Sequence, residues 1–98
     1  EELTIMRVTV TGTDTNGKKK KIIYTLFDEY NAASQTSSMA RCTGYTATAA
    51  ANMFLEGLFK EKGVFPPELV GKHEVCFNYF LKYLGQRGVV YNMTEIAL

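Results

Sequence analysis

The chain has 98 residues, a formal net charge of +1, 46% hydrophobic residues and 21% charged ones. That length suits one core and that balance suits a folded chain, which argues against intrinsic disorder. A charge so near zero supplies no long-range field to recruit nucleic acid or an anionic membrane, and no apolar run approaches the length of a membrane span.

Glu1-Glu2 carries none of the basic and apolar pattern of a secretory signal, so a cytoplasmic protein is expected. A strand begins almost at once and no initiator methionine precedes it, which suggests a piece of a longer polypeptide. Residues 3–11 are rich in β-branched side chains and read as a strand, as do residues 20–30. Asn16-Gly17 between them is the pair favoured in two-residue type I′ turns, so a hairpin is predicted. Closing the turn there sets Val10 opposite Ile23, Val8 opposite Thr25 and Met6 opposite Phe27. These residues share one face, which is expected to be covered. Arg7, Thr9, Tyr24 and Asp28 then fall on the other face, together with Ile5 and Leu26.

Residues 31–38 are small and polar and read as a loop. Ser37 or Ser38 is placed to cap a helix over residues 39–59, with Ala50, Met53, Phe54 and Leu58 as its buried stripe. Gly44 marks either a kink or the start of regular helix, and Gly57 brings the end. Gly63-Val-Phe-Pro-Pro-Glu68 is a stiff connection in which Pro67 leads into a short helical turn. A second helix is predicted over residues 73–85, with Cys76, Phe77, Phe80 and Leu84 on one stripe and Arg87-Gly88 closing it. Residues 88–92 read as a short final strand. The fold class is therefore α+β: a hairpin packed with two helices and one last strand.

Few residues point to chemistry. Cys42 and Cys76 stand far apart with no neighbouring cysteine or histidine, so they read as buried thiols and no metal site is expected. Lys18 to Lys21 follow the turn and read as a solvated hairpin end that discourages edge pairing, in preference to a phosphate patch. Asp28, Glu29 and Tyr30 form an acidic group suited to a substrate amine, although an exposed strand end is the plainer reading. His73, the only histidine, has no serine or cysteine at a recognisable spacing. Asn92-Met93-Thr94 matches a glycosylation sequon only formally. No Gly-x-Gly-x-x-Gly or Gly-x-x-x-x-Gly-Lys is present, so cofactor binding by this chain is not expected.

The stretch Thr36-Ser-Ser-Met-Ala-Arg-Cys-Thr-Gly-Tyr45, the run Ala47-Thr-Ala-Ala-Ala51, Phe54-Leu-Glu-Gly57 and Gly63-Val-Phe-Pro-Pro-Glu68 resemble the carboxy-terminal region of saccharopine dehydrogenases, in order and at similar spacing. Arg87-Gly88-Val89 is similar as well, and Thr46 stands where relatives often carry proline. The resemblance implies a parent with an amino-terminal Rossmann domain for NAD or NADP and an α+β substrate domain that often mediates homodimerisation. Its chemistry would be oxidoreduction at the CH-NH group of an amino acid derivative in lysine metabolism, joining an amino acid and a keto acid through an imine. Residues 1–98 would then be the end of the substrate domain plus the segment returning to the Rossmann domain, with no activity alone. A lysine dehydrogenase or carboxynorspermidine-type parent stays open, as does a non-catalytic dimerisation module. Ser38, near a helix amino terminus, and Arg41, suited to bidentate carboxylate recognition, are the candidates for substrate carboxylates. Against that role stand capping for Ser38 and a structural ion pair for Arg41.

Overall fold

A computed structural model describes residues 1–98. In chain order it contains β1 (Leu3–Thr13), β2 (Lys19–Glu29), α1 (Ser38–Leu55), α2 (Pro67–Gly71), α3 (Glu74–Gln86) and β3 (Tyr91–Ala97). The α+β class holds. The chain divides into two compact units, one made of residues 1–38 and 90–98 and the other of residues 39–89.

The first unit is a three-stranded antiparallel sheet in the order β1-β2-β3, with β2 central. The hairpin forms, but its register is one residue away from the predicted one: Val10 pairs with Ile22, Val8 with Tyr24 and Met6 with Leu26. The cause is the turn. Asp14 Oδ1 accepts hydrogen bonds from the N–H groups of Asn16 and Lys18, both at 2.9 Å, and Gly17 N–H bonds the Asp14 carbonyl at 3.0 Å. Only Gly17 takes a positive φ, +78°, so the connection is a three-residue loop and the two-residue type I′ turn is not used.

A slip of one residue exchanges faces. Met6, Val8 and Val10 now share a side with Leu26 and Asp28, while Phe27 lies on the other side with Ile5 and Ile23. The expected covered face is not covered, since Met6, Val8, Val10 and Phe27 are all exposed; Ile23, Leu26 and Asp28 on the central strand are the buried ones. The final strand runs over residues 91–97, beyond the predicted 88–92, because pairing with β2 from Lys20 to Leu26 extends it.

The second unit is helical. α1 runs without a break through Gly44 and Thr46, and the Thr46 hydroxyl returns to the Cys42 carbonyl at 2.6 Å, a local bond that fits a helix interior. It ends at Leu55, earlier than the predicted 59, because Gly57 takes φ +72°. Gly57 N–H then bonds the Phe54 carbonyl and Leu58 N–H the Met53 carbonyl, which satisfies the last turn. α3 ends the same way: Gly88 has φ +81°, Gly88 N–H bonds the Gly85 carbonyl and Val89 N–H the Leu84 carbonyl. Met53, Phe59 and Cys76 form the buried cluster, with Phe65, Val70, Tyr79 and Phe80 packed against it. Of the predicted α1 stripe only Met53 is buried and Ala50 half-buried; Phe54 and Leu58 are exposed, and Ala49 takes a buried place instead. No helix is long and apolar enough to cross a membrane.

Candidate functional site

Within the sheet unit, Ser38 is fully buried. Its hydroxyl donates to Asp28 Oδ2 at 2.7 Å and lies 2.8 Å from Thr4 Oγ1, while its backbone N–H donates to Glu2 Oε1. A carboxylate at the first turn of α1 meets the positive end of the helix dipole, so Glu2 is favourably placed there. The Ser38 side chain thus ties the loop end to β1 and β2. Loop 31–37 prepares that placement through the Asn31-Thr36 bridge and the bonds from Ser34 N and Oγ to Asn31 Oδ1.

Asp28 corrects the reading of an exposed acidic strand end. It is 6% exposed, whereas its neighbour Glu29 lies in solvent. The physical reason is alternation: on the observed register Asp28 shares the face of buried Leu26, and Ser38 supplies the hydrogen bond that a buried carboxylate requires. Sequence reasoning missed this pairing, as it missed Thr4 and Glu2. The one available signal was the two-residue spacing from Leu26.

Arg41 belongs to the helical unit, three residues after Ser38 on α1, and is 8% exposed. Its Nη2 donates to the Arg87 carbonyl at 3.1 Å, and its guanidinium carbon lies 5.7 Å from the Tyr45 ring centroid. A cation against the carboxy terminus of α3 is held by carbonyls that lack partners within their own helix. Gly88 leaves room for it, since a Cβ there would sit 3.3 Å from Arg41 Nη2. Arg87 in turn stacks over the Tyr83 ring at 3.4 Å, and the Tyr83 hydroxyl bonds Thr48 Oγ1 at 2.9 Å, so α1 and α3 are fastened at their polar seam as well.

The same unit contains a cavity of about 570 Å³ with an almost wholly apolar lining. Five of the six phenylalanines of the chain, Phe54, Phe59, Phe65, Phe77 and Phe80, border it. Thr46 is the sole side chain with a polar atom on that wall, and its hydroxyl is committed to the Cys42 carbonyl. A small-molecule pocket ordinarily has a few polar groups that orient its ligand, so this wall suits apolar side chains of another protein segment better.

The remaining candidates are charged surface groups and two cysteines. Lys20 is paired with Asp14 at 3.2 Å and with Glu95 at 2.9 Å. Those carboxylates raise the Lys20 pKa, the Glu95 hydrogen bond most, and the Lys18 N–H bond foremost lowers that of Asp14. His73 stands at the N-cap position of α3 without a side-chain capping bond, and its Nε2 lies 3.5 Å from Glu61 Oε2. Cys76 is a buried free thiol and Cys42 a half-buried one. No group of three His, Cys, Asp or Glu side chains is arranged to hold a metal ion.

The residues present do not fit a dinucleotide. The one path from a strand into a helix, β2 to α1, runs through residues 30–37 with no glycine, and the helix amino terminus it reaches already faces the Glu2 carboxylate. A pyrophosphate needs close backbone approach at a glycine-rich turn and a helix end open to an anion.

Compared with known families, residues 1–89 match the model described as the saccharopine dehydrogenase C-terminal domain. No solved structure gives a significant match.

Proposed function

Because the chain belongs to the saccharopine dehydrogenase C-terminal domain family, we propose that it is the carboxy-terminal part of an NAD(P)-dependent oxidoreductase acting on the CH-NH group of an amino acid derivative in lysine metabolism. The family implies a partner amino-terminal domain in the parent enzyme. In this reading that domain brings the dinucleotide and the hydride transfer, and the present chain supplies structure around the substrate. The parent is a cytoplasmic homodimer, and the chain alone is inactive.

The family match over residues 1–89 carries the proposal. Two features support it. The phenylalanine-lined cavity is an apolar surface of the kind that a second domain covers. The Ser38 hydroxyl donates to Asp28, so the end of the loop that leads into α1 is held to β2. Arg41, in the first turn of α1, is the residue best suited to a substrate carboxylate, which would draw its guanidinium from the Arg87 carbonyl that holds it in this structure.

The test is reconstitution. The chain mixed with a separately produced amino-terminal dinucleotide domain of a saccharopine dehydrogenase is expected to restore NAD(P)-dependent oxidation of saccharopine, while neither piece turns over alone. Tight saturable binding of NADH by the chain in isolation, followed by fluorescence, would overturn the division of labour.

A further inference from the structure

Of the five asparagines of the chain, at positions 16, 31, 52, 78 and 92, only Asn16 is followed by glycine. Asparagine is among the thermally labile residues, because the backbone nitrogen of the next residue can attack its side-chain amide. The attack is least hindered where that next residue is glycine, which carries no side chain beside the nitrogen. Asn16 and Gly17 both lie exposed at the hairpin end, and open space surrounds the position that a Gly17 Cβ would take. Neither burial nor a neighbouring side chain shields the reacting atoms.

The turn sets how those atoms face each other. Gly17 N–H donates to the Asp14 carbonyl at 3.0 Å. Gly17 has φ +78° and the sole non-glycine residue with positive φ is Gln35, so Thr15 and Asn16 keep negative φ. That combination is a type I turn over residues 14–17 closed by a left-handed glycine, a common form of three-residue hairpin loop. Its third position, here Asn16, has ψ near about 0°. At that angle the Gly17 nitrogen eclipses the Asn16 nitrogen and stands about a third of a turn from Cβ, as the tetrahedral α carbon requires. Closure of a five-membered ring needs the nitrogen on the same side as Cβ.

Three hydrogen bonds resist that rotation. Asp14 Oδ1 holds the N–H groups of Asn16 and Lys18, both at 2.9 Å, and the Gly17 N–H is the third donor, so the nitrogen that must lose its proton is itself engaged. Lys20 fastens the Asp14 carboxylate in turn at 3.2 Å and reaches Glu95 at 2.9 Å. Reaction therefore requires a local opening of the loop, and its rate is governed by how seldom the bonds to Asp14 break.

We propose that Asn16 is a site of spontaneous deamidation held in check by Asp14. On opening, the Gly17 nitrogen gives its proton to solvent base and attacks Asn16 Cγ. The bond from Cγ to Nδ2 breaks, and the nitrogen takes a proton from water and departs as ammonia, leaving a succinimide ring. Water then opens the ring. Cleavage between Cγ and the Gly17 nitrogen gives an aspartyl residue; cleavage between the main-chain carbonyl carbon and that nitrogen gives an isoaspartyl linkage that carries the chain through Cβ. No oxidant or enzyme is required. Either product sets a second carboxylate close to Asp14, and the isoaspartyl form adds a carbon to the main chain in the loop that fixes the β1–β2 register. This chemistry depends on the hairpin alone, so it can fail while the dehydrogenase reading stands.

The test is incubation of the whole chain at mildly alkaline pH, folded and in denaturant, with conversion at Asn16 followed by peptide mapping and by labelling with an isoaspartate-specific methyltransferase. The denatured chain is expected to convert at Asn16 ahead of the other four asparagines. The folded chain is expected to convert there at least about ten-fold more slowly, which corresponds to about 1.4 kcal/mol of loop opening. Asp14→Ala is expected to remove most of that protection with unchanged far-ultraviolet circular dichroism, whereas Asp14→Asn, which keeps an acceptor, retains most of it. One measurement on the unaltered chain covers an Asp14→Ala variant that does not fold: below the unfolding transition, the Asn16 rate is expected to rise with denaturant in step with exchange at the Lys18 amide. No conversion at Asn16 in the denatured chain would overturn the site. Equal rates in the folded and denatured chain, a folded Asp14→Ala chain as slow as the unaltered one, or a rate indifferent to Lys18 exchange would each overturn the control by Asp14.

Discussion

Met53 in the helical unit is 1% exposed and Met6 in the sheet unit 38% exposed, although both lie on the apolar side of a regular element. Around Met53, the rings of Phe59, Phe65 and Phe80 and the thiol of Cys76 gather from the connection and from α3. Phe59 meets Phe54 and Phe65 edge-on at 5.7 and 5.4 Å between centroids. Met6 instead sits opposite Leu26 in the β1–β2 ladder, with Leu26 buried and Met6 not. The helical unit therefore draws its order from side-chain packing, and the sheet from hydrogen bonds, turn chemistry and the buried Ser38-Asp28 pair. The lesson is that exposure of an apolar face is informative when its hydrogen-bonded framework is complete, since the framework then stands ready for a partner.

The sharpest way to break this comparison is to truncate both methionines. Met53→Ala is expected to destabilise the chain by about 2–5 kcal/mol through loss of buried methylenes and an unfilled cavity. Met6→Ala should cost less than about 1 kcal/mol because more than a third of that residue already lies in solvent. Denaturant unfolding of the two variants checks the pair, and equal losses would remove the distinction.

A smaller effect sharpens the helical side. Gly88→Ala places a β carbon at φ +81° and 3.3 Å from Arg41 Nη2, so a loss of about 1–2 kcal/mol is expected from the left-handed backbone alone. The downfield position of the Arg41 guanidinium protons in a nuclear magnetic resonance spectrum should change with it, because the bond to the Arg87 carbonyl is displaced.

The smallest effect belongs to the hairpin. The Asp14 carboxyl is lowered below its ordinary 3.8, first by the Lys18 N–H bond, with Lys20 and Asn16 adding to it. A depressed carboxyl contributes stability that is present above 3.8 and fades as pH falls through the folded value. The protection of the Asn16 and Lys18 amides, exchange corrected for its intrinsic pH dependence, should therefore fall below that range, and Asp14→Asn should flatten the dependence while retaining a turn acceptor.

How much was legible in advance follows from how local each signal is. Gly57 and Gly88 announced the helix ends because a left-handed terminal residue is a property of one backbone position, and the α3 stripe of Cys76 and Leu84 needed only a 3.6-residue period. The existence of the hairpin was equally local. Its register was not: Asn16-Gly17 favours one turn, but the Asp14 carboxylate captures two N–H groups and selects another, moving every pairing by one residue. Of the candidate site, Ser38 and Arg41 were visible as residue types at a helix start. Their environments were not, since Asp28 and Thr4 reach Ser38 from 10 and 34 positions away, and Arg87 reaches Arg41 from 46.

Sequence by itself thus determined the order of elements, the glycines that close α1 and α3, and the family, because these depend on neighbouring residues and on motif spacing. Tertiary structure alone decided which sheet face is buried, that Asp28 is inside and that five phenylalanines line one cavity. Burial is a property of what approaches from far along the chain, and in a strand a single-residue shift is enough to reverse it.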